Sequence, residues 1–87
     1  MAANSTVSDL LHQGAILARD VHVAADAYLA DPGISLFLLG VGYVLDLAAA
    51  VEADTFACKV LRNPAVTLPA KQAAVRAAIL LARPRKL

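Results

Sequence analysis

The sequence predicts an all-α protein of three helices, spanning about residues 6–30, 32–62 and 68–83. The first two form a helical hairpin, joined by a C-terminal helix in an oligomeric bundle. Three observations carry that expectation. Apolar residues recur at steps of three and four in the first third. Residues 34–51, ISLFLLGVGYVLDLAAAV, are apolar on nearly every side, with only Ser35 and Asp46 polar. Asp31-Pro32-Gly33 and Asn63-Pro64 punctuate the chain where helices would turn.

The first helix opens at Ser5 or Thr6, where Thr6-Val7-Ser8-Asp9 reads as a capping box with Asp in the third position. Val7, Leu10, Leu11, Gly14, Leu17, Ala18, Val21, Ala25 and Tyr28 form its apolar stripe. Residues 20–29 also alternate roughly as a strand would, but the alanine content favours a helix. Residues 1–4 and 84–87 are expected to be flexible ends.

Asp31 can cap the second helix and Pro32 fits its first position. Gly40 and Gly42 each weaken a helix interior by roughly 1 kcal/mol relative to Ala, so close packing is expected to compensate. Gly42, Asp46, Ala49, Ala50, Ala53 and Ala57 share a side of small residues against which another backbone can pack. With Leu36, Leu39 and Tyr43, the residues Gly42, Asp46, Ala49, Ala50 and Ala53 make up the expected interface. Beyond Val51, Glu52, Thr55, Lys59 and Arg62 form a polar stripe, while Phe56, Val60 and Leu61 stay apolar.

An antiparallel hairpin of the first two helices puts residues whose numbers sum to about 65 opposite each other. Arg19 then pairs with Asp46, and a similar fold at residues 64–66 brings Arg76 near Asp54 or Thr55. Such pairing would relieve a buried carboxylate at position 46. The third helix has Pro69 in its first turn, a wet side of Gln72, Arg76 and Arg83, and a dry side of Val75, Ala78, Ile79 and Ala82.

Sixty per cent of the residues are hydrophobic, more than an 87-residue chain with one core is expected to hide. The excess points to a partner surface. Residues 1–50 carry one cation against five carboxylates, and residues 51–87 carry seven cations against two. Lys71, Arg76, Arg83, Arg85 and Lys86 are therefore candidate contacts to an anionic partner. A lipid surface fits their apolar flank; nucleic acid fits less well, because no aromatic residue interleaves the charges.

Nothing in the sequence signals an enzyme. His12 and His22 fall on different faces of one helix, and the single cysteine, Cys58, allows neither an internal disulfide nor a zinc-like ligand set. Gly40-x-Gly42 lacks the third glycine and the basic residue of a phosphate loop. No cofactor, metal or small-molecule substrate is expected, and no family is assigned.

The expected function is a cytoplasmic, non-enzymatic interaction protein that buries residues 34–51 against another copy, by default as a homodimer, or against a protein partner. The alternative is a single-span membrane protein with residues 34–51 as the span, a cytoplasmic C-terminus, and a pore-forming or regulatory role. Eighteen residues give a helix of about 27 Å, short of the ~30 Å hydrocarbon core, and Asp46 opposes insertion.

Overall fold

The capping box at Thr6 forms as its residue types dictate. The Thr6 hydroxyl accepts from the Asp9 amide at 3.1 Å, and the Asp9 carboxylate accepts from the Thr6 amide at 3.0 Å. The computed structural model describes residues 5–87, so the expectation for residues 1–4 lies outside them. From Thr6 the chain forms α1 (Val7–His12), α2 (Ala18–Ala30), β1 (Leu36–Leu39), β2 (Tyr43–Asp46), α3 (Leu47–Glu52), α4 (Thr55–Arg62), α5 (Leu68–Leu81) and β3 (Arg85–Lys86).

The all-α, three-helix bundle is therefore corrected: the described residues form five helices and a three-stranded antiparallel sheet. The helix expected over 6–30 breaks at residues 13–17. Gly14 takes a φ of +79°, outside the right-handed helix, and the amides of Ala15 and Ile16 turn back to the Leu10 carbonyl. Asp20 restarts the helix by accepting from the Leu17 amide at 2.9 Å. The break drives Ile16, fully buried, into the core.

The helix expected over 32–62 is absent as such. Residues 36–46 form a hairpin with Leu36 opposite Asp46, Phe37 opposite Leu45, Leu38 opposite Val44 and Leu39 opposite Tyr43. Gly40 and Gly42 close its turn at φ +60° and +107°, values that L side chains rarely adopt. Burial then follows a period of two. Leu39 and Leu45 are buried with Phe37 packed beside them, while Leu36 and Leu38 face outward.

Asp46 ends the hairpin and begins α3, its carboxylate accepting from the Ala49 amide at 3.0 Å. Asp54 begins α4 in the same way, through the Ala57 amide at 3.0 Å. Two capping carboxylates eight positions apart thus divide what reads in sequence as one continuous helix.

The third expected helix, 68–83, forms as α5 and stops at Leu81, with Ala82 already extended. Residues 85–86 are not a loose tail: β3 pairs with β2, Arg85 opposite Val44 and Lys86 opposite Tyr43. α5 packs against all four other helices, contributing buried Ala74, Val75, Ala78 and Ile79. The Val7 amide donates to the Ala82 carbonyl at 2.9 Å, and the Gln72 amide group donates to Asp26 at 3.1 Å. These bonds tie α1 and α2 to the two ends of α5.

The core that results takes Leu39, Leu45, Leu47 and Val51 from the central stretch, each at most 6% exposed. So the chain alone shelters part of residues 34–51, contrary to the expectation that only a partner could do so. The rest of that stretch stays on the surface.

Candidate interaction surface

The surface share of the central stretch lies beside an alanine-floored groove. β1 turns Leu36 and Leu38 outward at 60% and 63% exposure, and Val44 stands opposite Leu38 on the same side of the sheet. Behind Leu36 and Val44, a depression of about 530 Å³ is floored by Ala49, Ala50 and Ala53. A second, of about 460 Å³, adjoins it and shares Ala50, Ala53, Leu81 and Ala82. Leu81 and Phe56 rise along the groove at 69% and 66% exposure.

The small floor follows from the run Leu47-Ala48-Ala49-Ala50-Val51 on one turn and a half of helix. Leu47 and Val51 point to the core, which leaves methyl groups outside. Polar groups sit at the ends. Asp46, Arg83 and Arg85 border the deep end near the sheet, and Asp54 and Thr55 border the other. Each carboxylate accepts from a helix amide through Oδ1, which fixes it at its end of the groove.

Of the residues expected at an interface, Leu36, Asp46, Ala49, Ala50 and Ala53 line this groove. Leu39 is instead fully buried on the opposite face of β1, Gly42 forms the turn, and Tyr43 lies between Leu39 and Lys86. The expected register of Arg19 with Asp46 loses its basis, because residue 46 ends a strand and Arg19 stands exposed in the first turn of α2. Asp54 caps α4, and Arg76 is half-buried on α5. Of the expected anionic contacts, Arg83 and Arg85 reach the groove, Lys71 is half-buried on α5, and Lys86 is exposed on β3.

Phe56, Leu81, Leu38 and Val44 were not among the expected contacts. The signal for the last two was present: an apolar quartet, residues 36–39, and an apolar triplet, residues 43–45, flanking Gly40-Val41-Gly42 have the pattern of a hairpin with a three-residue loop.

Two titratable groups among the described residues are held away from their ordinary ranges. Asp9 titrates below the ordinary carboxylate range because the Thr6 amide and hydroxyl both donate to its ionised form. Burial, with the charges of Glu52 and Cys58 nearby, pushes the Tyr28 hydroxyl up. The Cys58 thiol is directed at the Val51 and Glu52 carbonyls, at 3.5 and 3.7 Å. Among the described residues, no group of three or more His, Cys, Asp or Glu side chains could hold a metal ion. Nor is any helix long and apolar enough to cross a membrane; residues 34–51 expected as a span are a hairpin followed by part of α3.

Fold and surface together define a small α+β protein whose described residues carry an apolar surface groove. The chain matches no known family, no curated protein and no solved structure.

Proposed function

We propose that this chain is a non-enzymatic interaction protein that self-associates through the apolar side built by residues 34–53. The observation that supports this most directly is the grouping of four of the nine large apolar side chains exposed among the described residues. Leu36, Leu38, Phe56 and Leu81 are each about three-fifths exposed or more, and all but Leu38 line one continuous groove. Scattered apolar side chains are ordinary on protein surfaces; contiguous ones rimmed by charge mark contact sites.

The shape of the site fits a packing role. Methyl groups on the floor allow a close approach, and the tall Leu81 and Phe56 side chains offer knobs for a facing surface. A two-fold contact uses the same surface on both copies.

Sedimentation velocity from micromolar to millimolar concentration tests the reading. The wild-type chain is expected to shift toward dimer with concentration, and a variant carrying Ala50→Glu is expected to shift less. A wild-type chain that stays monomeric throughout would overturn self-association.

A further inference from the structure

β1 is the outer strand of the sheet order β1-β2-β3, so one of its edges meets no other strand among the described residues. The hydrogen-bond phase of the hairpin decides which groups that edge displays. The Leu47 amide donates to the Ser35 carbonyl, continuing the register that pairs Phe37 with Leu45 and Leu39 with Tyr43. In an antiparallel ladder, successive residues turn their backbone groups to alternate sides. Ser35, Phe37 and Leu39 therefore face β2, and Leu36 and Leu38 turn their N–H and C=O groups outward. The other side of the hairpin agrees: the Leu87 amide donates to the Gly42 carbonyl at 2.8 Å, so alternate residues of β2 face β3.

Proteins protect such edges with lysine, proline or a bulge. Here residues 33–45 contain no charge and no proline, and β1 runs opposite β2 without a bulge. We propose that a second copy of this chain adds to the open edge of β1, antiparallel about a two-fold axis at Phe37. Leu36 then stands opposite the partner's Leu38, and Leu38 opposite the partner's Leu36.

One symmetry operation meets every outward group. The amide and carbonyl of Leu36 exchange bonds with those of the partner's Leu38, and the reverse pair does the same. The two sheets join as one of six strands. The absence of charge along the edge leaves two identical copies with no repulsion to overcome, and offers a charged peptide nothing to select. Four residues per copy bury less than the roughly 800 Å² per partner of a standard interface, so the dimer is weak and depends on concentration.

This inference rests on the self-association proposed above, and the experiment separates the two. Sedimentation measures dimerisation of the wild-type chain and of Leu38→Pro, which removes one outward N–H and leaves the bonds to β2 in place. Amide exchange of Leu36 and Leu38 is followed by NMR as the wild-type concentration rises. The expected result is a Leu38→Pro dissociation constant weakened by about tenfold or more, with both amides slowing as the dimer fills. Leu36→Glu alone is expected to weaken the dimer. Leu36→Glu combined with Leu38→Lys restores it, because each introduced carboxylate then meets an introduced ammonium across the axis.

Should the dimer form while Leu38→Pro leaves it unchanged and both amides exchange at one rate throughout, edge pairing is wrong and self-association stands. A chain monomeric at every concentration overturns both. If Leu38→Pro fails to fold by circular dichroism, the wild-type amide exchange decides alone.

Discussion

The Leu47 amide donates to the Ser35 carbonyl at 2.7 Å, where the hairpin hands over to α3. That bond sets which residues of β1 face β2 and, with the pleat, which side chains enter the core. Leu39 lies fully buried and its neighbour Leu38 is 63% exposed. Strand geometry turns successive side chains to opposite faces, and the alternation repeats at Leu36 and Phe37. Leu39→Ala is expected to cost about 2–5 kcal/mol in urea unfolding, whereas Leu38→Ala in the dilute monomer is expected to fall within about 0.5 kcal/mol of wild type. Equal losses at both positions would contradict the strand.

The turn depends on backbone more than on space. A Cβ at Gly42 would meet nothing within 4 Å, yet its φ is +107°. Gly42→Ala is therefore expected to destabilise the monomer by about 1–3 kcal/mol purely through strain. Chemical denaturation at low protein concentration measures this. A neutral substitution would mean that the turn has another conformation.

Asp46 and Asp54 act as caps, so their removal should resemble cap loss. Asp46→Ala and Asp54→Ala are each expected to cost about 1 kcal/mol, within a 0.5–2 kcal/mol range. Arg19→Ala is expected to stay within about 0.5 kcal/mol, since Arg19 is exposed. Matching large effects at Arg19 and Asp46, with coupling in a double-mutant cycle, would restore the ion pair in place of the cap.

Tyr28 makes stability depend on alkaline pH. Its folded-state hydroxyl holds the proton more tightly than the unfolded chain does, because burial and the nearby Glu52 and Cys58 charges oppose ionisation. Its contribution is complete below the unfolded-state tyrosine range near pH 10 and is lost as pH rises through the higher folded-state value. Urea midpoints between about pH 8 and 11 should fall more steeply for wild type than for Tyr28→Phe. Parallel curves would remove Tyr28 as the source.

Asp9 works in the opposite direction. The two Thr6 donors favour its ionised form, so its contribution is complete above the unfolded-state aspartate range and is lost as pH falls through the lower folded-state value. Thr6→Val removes the hydroxyl donor, and the variant's acid unfolding curve should come closer to that of Asp9→Asn. If Thr6→Val keeps the full acid dependence, the capping hydroxyl has no part in it.

Some elements were legible because their causes are local. The Thr6 hydroxyl satisfies an amide three residues on, Pro64 stops α4 through the residue before it, and Pro69 suits the first turn of α5. The central stretch was not legible in that way. Residues 36–45 carry no charge and fit either period, and single glycines at 40 and 42 fit a close-packed helix as well as a turn. The groove was half legible: Ala49, Ala50 and Ala53 announce a small surface, but Phe56 and Leu81 join it only because α4 and α5 meet there.

By itself, then, the sequence determined the cap at Thr6, the proline stops, the segregation of charge and the excess of apolar side chains. These follow from residue types and their nearest neighbours. Only the tertiary structure decided that residues 36–46 are strands and that β3 joins them. It also decided which apolar residues remain outside. Strand pairing draws its hydrogen bonds from partners far along the chain, and burial is shared among elements, so neither is a property of one stretch read alone.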